Sequence, residues 1–188
     1  MNKYIVQKFG GTCIGQSDNI IKVIDIIKDC SINNNMAVVV SAMSNYDKSS
    51  GTTSKLLLSL EVCLIGGDYI SILDEVKKNH LEIINIFLLK NNNTNMSKKR
   101  WKLYSDTYDF VESEFKQLHN VLNNMASARC NDAILTAVTF KIKNNISYKS
   151  KDIILNVGER LSAYIISSIL NANNIKALLL GIRPYLPI

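Results

Sequence analysis

Tyr4-Ile5-Val6-Gln7-Lys8-Phe9-Gly10-Gly11-Thr12 is the stretch on which the fold turns. An apolar, β-branched run delivers a lysine near its end, and two glycines follow at once, so backbone N–H groups can approach an anion without Cβ atoms in the way. Lys8, Gly10 and Gly11 are therefore candidate phosphate-contacting residues. An ordinary tight turn after an edge strand, with a solvent-facing lysine, fits the same residues. The neighbouring segments decide between them.

Downstream, Ser17 or Asp18 is placed to cap a helix whose Ile20, Ile21, Val23, Ile24, Ile26 and Ile27 cover a broad face, as a helix lying on a sheet requires. It stops near Cys30, and Met36-Ala37-Val38-Val39-Val40 reads as a strand buried on both faces of a parallel sheet. The result is a βαβ unit. Ser41-Ala42-Met43-Ser44 leaves the second strand, a polar stretch runs from Asn45 to Gly51, and Thr52 or Thr53 caps a helix that buries Leu56, Leu57, Leu60, Cys63 and Leu64. Ligands of parallel α/β sheets bind at the carboxyl ends of the strands, so the loops after both strands can share one site.

From Tyr69 to about Phe140 apolar residues recur at three and four, so the middle of the chain is helical, broken at Asn91 to Ser97 and again at Ala126-Ser127-Ala128. His80 and His119 read there as surface or half-buried helix residues rather than catalytic bases, and Trp101 as an anchor for a basic helix start, Lys98 to Lys102. From Ser150 a further helix passes through Gly158-Glu159 to an Asn-rich end at Asn171 to Asn174, and Lys176 to Leu180 reads as a third strand. Glycine inside a helix costs about 1 kcal/mol relative to alanine. Beside it a glutamate is brought near the core, which is costly unless paired; a kink with an exposed Glu159 is the plainer alternative.

The 188 residues suit one domain. The net charge of +6 is spread along the chain, which suits small anionic ligands and argues against nucleic acid as a partner. Cys13, Cys30, Cys63 and Cys130 are far apart, with only two histidines to join them, so reduced thiols and no metal site are expected. No signal pattern opens the chain, and no apolar run reaches the ~18 residues needed to span a bilayer. A cytoplasmic protein without membrane contact is the expectation.

Three separated blocks then agree. Lys8-Phe9-Gly10-Gly11-Thr12-Cys13-Ile14-Gly15, Val40 to Met43 with Thr52 to Leu57, and Gly158-Glu159-Arg160-Leu161-Ser162 resemble, in order and rough spacing, the N-terminal half of aspartate kinases, closest to the fungal type. The resemblance implies an α/β, amino-acid kinase fold with a mostly parallel sheet between helices, here as the amino-acid-binding N-terminal lobe over residues 1–180, followed by an atypical tail at 181–188. It implies phosphoryl transfer from ATP, with Mg2+, to the side-chain carboxylate of L-aspartate, on the way to threonine, methionine and in many organisms lysine. It gives Lys8 the charge on the moving phosphoryl group, with Gly10 and Gly11 beside it. It makes Ser41, Thr53 and Glu159 substrate-binding residues, Glu159 meeting the substrate ammonium. A homo-oligomer is implied as well. A cysteine, Cys13, stands where the family has serine, and Gly181 stands two before Arg183 where it tends to have an acidic residue. The ATP-binding lobe and the regulatory ACT domains are expected to be missing, so the chain reads as a truncated kinase inactive alone, or alternatively as a non-catalytic remnant or partner subunit.

Overall fold

The computed structural model describes residues 3–89, 97–129 and 148–180. β1 (Lys3–Phe9) and β2 (Asn34–Val40) pair in parallel, with Lys3 opposite Asn34 and Phe9 opposite Val40. Between them run α1 (Gly11–Ile14), a single turn, and α2 (Ser17–Ser31), which completes the expected βαβ unit. α2 buries Ile20, Val23, Ile24 and Ile27, one stripe at helical spacing, and leaves Ile21 and Ile26 half outside. Its N-cap is Gln16, whose side chain makes no capping bond, so neither Ser17 nor Asp18 fills that role.

The strands alternate rather than burying both faces. Phe9, Met36, Val38 and Val40 turn to the core, while Tyr4 is 83% exposed, Val6 73% and Val39 47%. Among the described residues the helices cover one face of the sheet, and the other is open. Nor do Lys176 to Leu180 form a third strand. They run extended without pairing to the sheet, because the Asn171 amide takes the place of a strand partner: its Nδ2 donates to the Ala177 carbonyl at 2.9 Å and its Oδ1 accepts the Ala177 N–H at 3.2 Å.

α3 (Thr52–Leu64), α4 (Ile70–Ile84), α5 (Lys98–Arg129) and α6 (Tyr148–Ala172) build the rest. Gly66, at φ 77°, turns the chain out of α3, and Asn174, at φ 60°, does the same after α6; both are left-handed positions of the kind that ends helices. α5 runs unbroken through Ala126-Ser127-Ala128, since Met125 and Ala126 pack on the core and alanine favours the helix. Most of the expected break at 91–97 and the tail at 181–188 lie outside the described residues.

α5 and α6 lie antiparallel and meet once per turn. The Thr107 and Ser168 hydroxyls hydrogen-bond at 2.8 Å, the Phe110 and Tyr164 rings stack at 4.0 Å, and Arg160 pairs with Glu114. The numbers rise on one helix as they fall on the other. Asp152–Ala172 of α6 is long and apolar enough to cross a membrane, but 56% of its 18-residue apolar window is buried inside the fold. Ile154, Leu161, Ile165 and Ile169 are fully buried, so the apolarity serves a central core helix. Within the basic start of α5, Arg100 turns inward: its guanidinium donates to the Phe87 and Leu88 carbonyls where a π turn, Asn85–Leu89, leaves α4. Trp101 is 55% exposed and packs on Tyr104 rather than anchoring its helix in the core.

Candidate functional site

The segment Ser41-Ala42-Met43-Ser44, leaving the end of β2, is where the site assembles. Its backbone bonds reach into three other parts of the chain. The Ser41 N–H donates to the Phe9 carbonyl at 3.2 Å, Ser44 N–H to the Gly11 carbonyl at 3.0 Å, and the Met43 carbonyl accepts the Thr52 N–H at 3.0 Å. The Met43 N–H donates to Ser162 Oγ on α6, also at 3.0 Å.

Glycines make that convergence possible. A Cβ on Gly11 would overlap the Ala42 carbonyl, one on Gly15 the Ser44 carbonyl, and one on Gly51 would stand 2.5 Å from Ser44 Oγ. On Gly158 it would stand 3.0 Å from both Ala42 Cβ and Thr52 Cγ2. Gly158 therefore does not kink α6, which is continuous there; it lets the helix lie against the segment. Gly10 differs from its neighbour, because nothing comes within 4 Å of where its Cβ would be. The first glycine leaves open space, and the second leaves room for packing.

The residues read from the sequence fall around this segment. Lys8 is exposed, on the open side of β1 beside Tyr4 and Val6 in the strand's alternation. Gly10 and Gly11 start α1, which no side chain caps. Ser41 is half-buried, and Thr53 is exposed beside the buried Thr52. Neither threonine is the N-cap of α3; Gly51 is, and the Thr52 N–H goes to Met43 instead. Glu159 is exposed rather than half-buried, since Val157, Gly158, Leu161 and Ser162 occupy the buried stripe and a step of one residue rotates it outward. The carboxylate that is brought to the core is Glu114, 7% exposed, which accepts from Arg160 of the same motif.

A cleft of about 410 Å3 opens against the segment, with Gly15, Asp18, Ser44, Asn45, His80 and Glu82 in its walls. Of the six residues read from the sequence, none lines it. His80 is wholly buried, not a surface residue, and its Nδ1 lies 2.8 Å from the Val76 carbonyl, so Nδ1 carries the hydrogen. Burial pushes its pKa down, which keeps the ring neutral. His119 stacks on Tyr69 at 5.8 Å. Both histidines are engaged in packing. Asp47 organises the polar loop: its carboxylate accepts from the Ser49 hydroxyl and N–H, which hold its pKa below the usual carboxylate value.

Sequence reasoning missed Ser162, Arg160 with Glu114, and the packing roles of Gly15 and Gly51. The glycines had a signal, since each stands where the chain re-enters a helix. Ser162 and Glu114 did not, because their partners lie 119 and 46 residues away.

The profile of the amino acid kinase family matches residues 3–185, and the chain belongs to that family. It is a kinase by family, and its α/β fold agrees. Among curated relatives it is similar to the aspartokinase of Saccharomyces cerevisiae, 29% identical over 94% of this chain and 29% of that protein. The aspartokinase of Candida albicans is also 29% identical, over 98% of this chain and 29% of its own length. That of Schizosaccharomyces pombe is 23% identical over 92% of this chain and 28% of its length. The chain thus spans less than a third of the relatives it matches.

Proposed function

We propose that this chain is the amino-acid-binding part of an aspartate kinase, transferring the γ-phosphoryl group of ATP to the side-chain carboxylate of L-aspartate. One observation carries this: the glycine turn after β1, the start of α3 and the Gly158 turn of α6 all meet on residues 41–44. Three stretches far apart in sequence thereby flank one place.

In the transfer, the bond from the γ-phosphorus to the β-phosphate oxygen breaks as a bond to a carboxylate oxygen forms, leaving ADP and an acyl phosphate. Such a reaction asks for positive charge and fixed N–H donors more than for covalent help. Lys8 supplies the charge, and the open space over Gly10 lets the backbone approach a phosphate. Ser41 and Thr53 hold the amino acid, and Glu159, exposed and without an ion pair among the described residues, meets its ammonium group. ATP brings its magnesium with it; the described residues contain no group of three or more metal-ligating side chains, and no step here runs through the metal. The acyl phosphate is the first intermediate towards threonine and methionine, and in many organisms lysine, made in the cytoplasm.

The test is ATP-dependent acyl-phosphate formation from L-aspartate by a full-length kinase that carries this lobe, trapped with hydroxylamine, with Lys8→Ala as control. Activity that depends on Lys8 supports the assignment; activity on glutamate or N-acetylglutamate in preference to aspartate overturns it. A second reading, a non-catalytic binding module or partner subunit, is favoured by the open sheet face carrying Tyr4, Val6 and Val39. It expects this chain to co-purify with a full-length aspartate kinase, and recovery of the chain only as a free monomer counts against it, whereas the half-kinase reading expects L-aspartate but not ATP to raise the thermal midpoint.

A further inference from the structure

We propose that Ser162 is a positioning residue for the amino-acid site, fixing Ser41 relative to Glu159 by holding the 41–44 backbone against α6; this rests on the aspartate-kinase reading above. Ser162 is fully buried, and its hydroxyl is used twice: it accepts the Met43 N–H at 3.0 Å and donates to the Gly158 carbonyl at 2.9 Å. Donation to the carbonyl four residues back is what a helical serine does by default. Acceptance from a backbone N–H 119 residues away is not.

The other bonds of the segment tie it to the N-terminal elements: Ser41 to Phe9, Ser44 to Gly11, and Met43 to Thr52 through its carbonyl. Among the described residues, the Met43 to Ser162 bond is the one hydrogen bond from α6 to this segment. Gly158, one turn earlier on the same face, permits close approach to Ala42 but does not by itself set the register along the helix axis. The hydrogen bond sets it. Glu159 rides on the helix and Ser41 on the segment, so the distance between these two substrate-holding groups is carried by Ser162. Met43 is 6% exposed, so without the hydroxyl its N–H is left unpaired in the interior and the segment must move to satisfy it.

The experiment is calorimetric titration of L-aspartate into this chain, comparing wild type, Ser162→Ala, Ser162→Thr, Ser168→Ala and Glu159→Gln, with amide exchange at Met43 followed in parallel. Ser162→Ala is expected to weaken aspartate about ten-fold and to speed Met43 exchange. Ser162→Thr keeps the hydroxyl and recovers most of the affinity. Ser168→Ala removes a comparably buried serine hydroxyl that bonds Thr107, away from the segment, and leaves aspartate affinity at the wild-type value. If Ser162→Ala binds as wild type, or Ser168→Ala weakens binding equally, the positioning role is overturned while the aspartate site stands. If wild type shows no aspartate binding, or Glu159→Gln binds as tightly, the aspartate reading falls and this role with it.

Discussion

Gly10 and Gly11 are adjacent, and substituting each with alanine separates the two things a glycine can do here. At Gly11 the new methyl would overlap the Ala42 carbonyl oxygen and stand 2.9 Å from Ser44 Cβ. Carbon atoms at their best separation are about 3.5–4.0 Å apart, so the backbone must retreat by roughly half an ångström or more. Overpacking of that kind costs about 1–3 kcal/mol. The retreat also stretches the bond from the Ser44 N–H to the Gly11 carbonyl, now 3.0 Å, which adds about 1 kcal/mol. Gly11→Ala is therefore expected to destabilise by about 2–4 kcal/mol, a fall in thermal midpoint of roughly 5–15 °C for a chain of this size. Gly10→Ala meets nothing within 4 Å and loses only the preference for glycine over alanine at an N-cap, about 1 kcal/mol or less. It should instead impair phosphoryl transfer, because the space it fills is the space the phosphate needs. Thermal and urea unfolding of both variants, beside the hydroxamate assay, provide the check. Equal losses of stability at the two positions would refute the separation.

Three further outcomes are expected. Glu114→Ala leaves the Arg160 guanidinium without its buried partner and should cost about 3–5 kcal/mol, measured as a lower urea midpoint, whereas the exposed Glu159→Ala should change stability by about 0.5 kcal/mol or less. The folded pKa of His80 is depressed by burial, so the unfolded chain binds the extra proton first; stability holds above about pH 6.5 and falls as the pH drops below it. Urea midpoints taken from pH 7.5 down to 5.5 should show that fall, and His80→Phe should flatten it. Asn174→Gly relieves a left-handed residue and should stabilise by up to about 1 kcal/mol, while Asn174→Val should destabilise by about 1–2 kcal/mol, read from thermal midpoints.

What could be read from the sequence was local. The βαβ opening follows from a β-branched run, a glycine turn and an isoleucine stripe, each a property of neighbouring residues. His80 was misread as a surface or half-buried residue although a local signal was present: Leu73, Val76, His80, Ile83 and Ile84 form the buried stripe of α4, and its place four residues after Val76 puts it on that stripe. The exposure of Glu159 and burial of Glu114 were not readable, because they depend on how α6 is rotated against α5, which Arg160, Tyr164 and Ser168 set by meeting Glu114, Phe110 and Thr107. The two-sided burial expected for β2 and the strand expected at 176–180 failed for a related reason. Apolar composition records a tendency to be covered, and the covering element is specified elsewhere in the chain.

The amide of Asn171 has a wider meaning for how this chain behaves among its own copies. By satisfying both backbone groups of Ala177, it occupies one rung of an extended segment that is otherwise unpaired among the described residues and whose Leu178 and Leu180 are 81% and 86% exposed. An unpaired extended edge with apolar side chains is a template for another molecule's strand. One side chain thus acts as a plug at the start of that edge, and Asn171→Ala, which frees the Ala177 rung, is expected to raise self-association as read by sedimentation velocity.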